Sequence, residues 1–156
     1  MDILSPSGEE FYAMMTAFFK QTPGCSFKIQ CSGVSMSPFI RHDSILTLVP
    51  LSPVQKPKIG DIVLAAMHQH KKMIVHRIIF KKSDRYLLKG DNLKSCDGWF
   101  AKNDILGRVA KIESNGKEII ASKWGGRLIA VASRIGLLNH FFLPVVRAIK
   151  RQICHV

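Results

Sequence analysis

The chain has 156 residues, 47% of them apolar, and its 23 basic against 11 acidic side chains give a formal charge of +12. That length and apolar share fit one folded domain able to bury roughly two thirds of its unfolded surface, which argues against disorder. The charge favours an anionic partner, and four cysteines with no Cys-x-x-Cys pair argue against a zinc site or a dense disulfide scaffold. Free thiols are expected, with a Cys25–Cys31 bridge left open.

Met1 to Gly8 is polar and Glu9 and Glu10 follow, so no secretory leader is read there. No run of 18 residues is free of both charge and proline, so no membrane span is expected. Residues 8–20 read as a short helix, with Ser7 as N-cap, Glu10 closing a capping box, and Phe11, Met14, Met15 and Phe18 on one apolar face. Gln21 to Gly24 is a turn. Short strands are then expected at 27–32, 44–49, 61–67, 72–80, 85–89, 104–112 and 117–121. They are separated by Pro50, Pro53, Pro57 and Gly60, by Lys82-Ser83-Asp84 and by Ser114-Asn115-Gly116. Repeated strands without intervening helices predict an antiparallel sheet or half-open barrel.

After the hinge Gly125-Gly126, Leu128 to Phe142 and Val145 to Ile153 read as two apolar helices with a basic rim, broken by Pro144. A helical cap on the sheet and an interfacial membrane anchor both fit that pattern. The organisation expected is an N-terminal helix in 1–24, a central domain in 25–123 and a helical C-terminal segment in 124–156.

Three stretches carry chemistry. The first, Ser32-Gly33-Val34-Ser35-Met36-Ser37-Pro38, follows the strand-like Phe27-Lys28-Ile29-Gln30 and sets Ser35 between a flexible glycine and a rigid proline. Such a break lifts a hydroxyl out of the sheet and leaves backbone N–H groups free for an oxyanion. A serine hydroxyl needs a base, and the second stretch, Ile74-Val75-His76-Arg77-Ile78, offers His76, an imidazole with an unperturbed pKa of about 6.5. The third, Lys89-Gly90-Asp91-Asn92 with Cys96-Asp97-Gly98, offers two acids, one of which would orient the imidazole. Ser32 and Ser37 are rival hydroxyls without the Gly-x-Ser-Met context. His68-Gln69-His70 could present two imidazoles to a metal, but its setting beside Lys71 and Lys72 predicts an exposed loop. Lys72 shares a strand face with His76 but lies about 13 Å from it along a strand.

In order, these stretches resemble the signature boxes of the type I signal peptidases, and the sequence Ser…His…Asp is most similar to the archaeal and endoplasmic-reticulum branch. Bacterial members carry lysine where this chain has His76. The resemblance runs over about residues 28–121, through Gly98-Trp99-Phe100 and Ile105-Leu106-Gly107-Arg108-Val109. It implies a mainly β signal-peptidase-type fold with helical ends, and a serine endopeptidase that processes precursors and cuts after small residues. Ser35 would be the nucleophile, with its backbone N–H in the oxyanion hole, and His76 the general base. Asp97 would be the orienting acid and Asp91 a loop-shaping one, although the two could exchange roles. No cofactor and no metal is implied.

Two features depart from that family. Gly33 stands where many signal peptidases have a serine that assists the oxyanion hole. Gly-x-Ser-Met is instead similar to the LexA-like self-cleaving peptidases, which share the fold but use lysine as base and carry a DNA-binding domain. Nothing in the N-terminal stretch reads as the family's membrane anchor, so a cytoplasmic or peripherally membrane-associated maturation protease is expected. Its partners would be a precursor protein or peptide and an anionic membrane surface. Nucleic acid is disfavoured, because aromatics are only 8% and do not interleave with the basic residues. The alternatives are a non-enzymatic basic binding module and, behind it, a self-cleaving regulator.

Overall fold

The computed structural model describes residues 8–22, 25–51, 56–120 and 128–131. It is mainly β, an antiparallel half-barrel with few helices. Helix α1 spans Gly8–Gln21. The strands are β1 (Phe27–Gln30), β2 (Ile45–Pro50), β3 (Ile62–Met67), β4 (Lys72–Lys82), β5 (Arg85–Lys89), β6 (Gly98–Ala101), β7 (Ile105–Ser114) and β8 (Lys117–Ile120). Short 3-10 turns at His68–His70 and Lys102–Asp104 join β3 to β4 and β6 to β7.

The sheet runs β1-β2-β7-β3-β4-β5-β6, and β8 folds back on β7. Strand β7 is its spine: it pairs β2 along one side, and β3 and then β8 along the other. Register shifts at Thr47/Leu48, Leu64/Ala65 and Ile78/Phe80 mark bulges or irregularities, which bend strands and sharpen their twist. Strand β6 is not among the expected strands; its Gly-Trp-Phe-Ala run holds no polar residue and so shows no apolar–polar alternation.

Strand alternation sorts the apolar side chains into two cores. The first gathers Met36, Ile40, Leu46, Leu48, Ile62, Leu64, Val109 and Ile112, and α1 closes it with Met15, Phe11 and Phe19. The second gathers Val63, Ala65, Ile78, Tyr86, Leu88, Phe100 and Ile105. On α1 the buried face is turned from the expected one. Met15 is 4% exposed but Met14 is 53% exposed. A stripe centred on Met15 takes in Phe11, Phe18 and Phe19 at i−4, i+3 and i+4 and leaves i−1 in solvent. Phe18 and Phe19 form an edge-to-face cluster with Phe27 of β1. Phe19 lies against Gly107, where an added Cβ would stand 3.2 Å from its ring.

The proposed Ser7 cap, and the tail apart from the helical residues 128–131, lie outside the described residues. No helix among the described residues is long and apolar enough to cross a membrane.

Candidate active site

Residues 31–44 form a loop closed at its base, where Cys31 N–H donates to the Ser44 carbonyl (2.8 Å) and Asp43 N–H donates to the Cys31 carbonyl (2.8 Å). Asp43 reaches this position in the left-handed region, φ 63°. Inside the loop, Met36 and Ile40 form a helical turn (Ile40 N–H to Met36 O, 2.9 Å) and drive their side chains into the first core. Two buried anchors thus fix the backbone on which Ser35 stands, just outside the core.

His76 comes from β4, paired with Val63 of β3. It shares its strand face with Ile74 and Ile78, which pack on the second core, and is 6% exposed. Its Nε2 lies 2.9 Å from Ser35 Oγ, and its Nδ1 lies 2.7 Å from Asp97 Oδ2. A carboxylate only accepts, so Nδ1 carries the hydrogen and donates to Asp97. Nε2 is then left to accept the Ser35 hydroxyl proton. Asp97 is held by its own N–H, which donates to the Leu88 carbonyl at 2.9 Å.

Arg77 points to the opposite face of β4 and takes the other acid. Its Nε and Nη2 donate to the two oxygens of Asp91 at 2.9 and 2.7 Å, and its Nη1 donates to the Gly60 carbonyl at 2.9 Å. Arg77 is 3% and Asp91 1% exposed. The carboxylate of Asp91 therefore bridges β4 and the 90–93 turn, and that of Asp97 meets the imidazole.

The same turn grips the serine loop. Asn92 N–H donates to the Ser35 carbonyl (2.7 Å), and Asn92 Nδ2 donates to the Val34 carbonyl (3.0 Å). This approach needs a glycine, because a Cβ on Gly90 would stand 2.8 Å from the Ser35 carbonyl oxygen and 2.9 Å from Leu93. Gly33 differs: an added Cβ meets nothing within 4 Å and its φ is not positive, so the loop does not require it. Gly90→Ala is expected to displace the Ser35 backbone and lower activity by about 10²-fold. Gly33→Ala is expected to leave stability within about 0.5 kcal/mol of wild type. Thermal unfolding beside activity checks both.

The remaining candidates fall elsewhere. Neither Ser32 nor Ser37 has a hydroxyl bonded to His76. Burial pushes the Cys31 thiol up, only partly offset by a backbone hydrogen bond from Gly33, so it stays a neutral thiol at pH 7 and is no rival nucleophile. Cys25, Cys31 and Cys96 are all free. His68 and His70 sit on the exposed 3-10 turn, where His68 bonds Tyr12 of α1 and Asp104. Among the described residues no group of three or more metal-ligating side chains forms. Sequence reasoning missed the grip of the Asn92 side chain on the serine loop; its one signal was the Gly-Asp-Asn run itself.

A serine, a histidine and an aspartate in one hydrogen-bonded line, from three separated stretches of chain, is an arrangement able to activate a hydroxyl. A family model described as Peptidase S24-like matches residues 3–110, more than half of the chain and all of these residues. The chain belongs to the Peptidase S24-like family. Membership places it among serine-type peptidases and self-cleaving proteins of the LexA and signal peptidase superfamily, without assigning it to the archaeal and endoplasmic-reticulum branch. A search of curated proteins returns no match. Within the S24-like match, position 76 is a histidine, where the resemblance to LexA-like peptidases leads one to expect lysine.

Proposed function

We propose that this S24-like protein is a serine endopeptidase that processes precursor proteins or peptides, using Ser35 as nucleophile, His76 as general base and Asp97 to orient it. The single observation that carries this reading is the continuous line Ser35 Oγ–His76 Nε2 and His76 Nδ1–Asp97 Oδ2, at 2.9 and 2.7 Å. Ser35 Oγ attacks the scissile carbonyl carbon as its proton passes to His76 Nε2. The carbonyl electron pair moves to oxygen, and the Ser35 N–H stabilises it. Collapse breaks the C–N bond, and the amine leaves with the proton from His76. Water, deprotonated by His76, then hydrolyses the acyl ester and restores Ser35.

The substrate's path is suggested by the sheet. Strand β5 pairs β4 only from Arg77 onward, so among the described residues no strand pairs Lys72 to His76 on that side. An extended peptide added there would run straight to Ser35, as the resemblance to signal peptidases implies, with small residues before the cut. The +12 charge supports association with an anionic membrane surface as a secondary partner. The family match favours one second reading, cleavage of the chain by itself.

Precursors carrying Ala-x-Ala sites, incubated with the protein with and without anionic vesicles, test this by intact mass. Cleavage of the added precursor that disappears in Ser35→Ala is expected. Cleavage confined to the protein's own chain would instead establish the self-cleaving reading. Faster processing on vesicles would make the membrane a partner.

A further inference from the structure

We infer that Asn92 is a positioning residue for the oxyanion hole, acting through the direction of the Ser35 amide. This rests on the serine-peptidase reading of the site and names a part that the reading leaves without a cause.

The geometry of one peptide unit sets that direction. The Val34–Ser35 bond is trans, since among the described residues only Ser37–Pro38 is cis. In a trans peptide the carbonyl and the following N–H are coplanar and point in opposite directions. Whatever holds the Val34 carbonyl therefore aims the Ser35 N–H the other way. Two donors hold it, Asn92 Nδ2 at 3.0 Å and Ser37 N–H at 3.1 Å. The next peptide unit is fixed by the same residue, because the Ser35 carbonyl accepts the Asn92 N–H at 2.7 Å. One residue thus clamps the peptide planes on both sides of the nucleophile. Among the described residues the Ser35 N–H donates to no protein acceptor, so its direction is set from behind.

The local context fits this role. Val34 is 64% exposed and packs against too little to hold its own carbonyl in place. Gly33 has open space around it, and its backbone hydrogen bond goes back to the Cys31 thiol, away from the Val34 carbonyl. Downstream, Met36 is anchored in the core. The amide between an exposed Val34 and a fixed Met36 is held by Asn92 on both of its flanking carbonyls, with the Ser37 N–H as a second donor to the Val34 carbonyl. The turn carrying Asn92 is itself pinned by the Arg77–Asp91 pair one residue earlier. The base meets Ser35 at its side-chain Oγ, not at the backbone groups that Asn92 holds.

Charge development on the oxyanion should therefore respond to Asn92, and proton transfer to His76 should not. The test uses a small alkyl fluorophosphonate, whose phosphoryl oxygen must occupy the oxyanion hole as Ser35 attacks. Its second-order inactivation rate is measured from pH 5 to 9 in wild type, N92A and N92L, with S35A as the blank. N92L keeps about the volume and the backbone N–H, adds no charge and removes the side-chain donor. The expected result is a drop of about tenfold or more in both Asn92 variants, less than the 10²–10³ of deleting a donor outright. The midpoint of the pH profile should be unmoved and the proteins still folded by circular dichroism at the assay temperature. Wild-type rates in either variant, or a drop accompanied by a displaced midpoint, would overturn the inference while leaving Ser35 as nucleophile. Failure of wild type to react above S35A would remove the serine-peptidase reading itself, and this inference with it.

Discussion

Asp91→Ala is expected to lower the unfolding free energy by about 3–5 kcal/mol, the largest stability effect of any single change around the site. The cost comes from what is left behind. Arg77 is 3% exposed, and its guanidinium would keep only the Gly60 carbonyl after losing both oxygens of Asp91. A buried charge without its partner bears its full desolvation penalty, whereas the intact pair repays most of it. Replacing both partners by apolar residues of similar size, Arg77→Met with Asp91→Leu, should recover most of the loss, because no uncompensated charge remains. Urea midpoints of the two single variants and the double variant check this. Equal destabilisation in all three would mean that the pair itself, not the orphaned charge, holds the turn.

Asp97→Asn is expected to do the reverse, lowering turnover by about 10⁴-fold with the fold intact. Its side chain is 13% exposed and pairs a histidine, not a buried arginine. Asparagine is nearly isosteric but presents an amide. If its N–H₂ donates to Nδ1, the imidazole hydrogen moves to Nε2, and Nε2 can no longer accept the Ser35 proton. The imidazolium formed during attack also loses its counter-charge. Turnover measured beside the thermal midpoint separates the acids: Asp97→Asn should lose rate and keep stability, and Asp91→Ala should lose stability first. If Asp97→Asn kept wild-type turnover, the tautomer argument would be wrong.

Much of this was legible in the chain because strand alternation and turn residues are local signals. Seven of the eight strands fall within two residues of their expected ends. The division of the two acids was not legible as distance, yet a local rule foreshadows it. Adjacent residues on a strand point to opposite faces, so His76 and Arg77 must each find a partner on its own side. Asp97 and Asp91 are the partners they find. Contacts that no local rule reaches were missed, such as Tyr12 with His68, 56 residues apart. The helix face was displaced because Met14 and Met15 read alike by hydropathy, and only packing against β1 and β7 decides between them. The Asn92 side chain was missed for a similar reason: its target is a backbone carbonyl, which leaves no trace in residue identity.

In the proposed mechanism Ser35, activated by His76, is a covalent nucleophile. That role is checked by treating the protein with a fluorophosphonate, digesting it and sequencing the modified peptide by mass spectrometry. A single adduct on Ser35, absent from Ser35→Ala and strongly slowed in His76→Ala, is the predicted result. An adduct on Ser32 or Ser37, or equal labelling with and without His76, would contradict it.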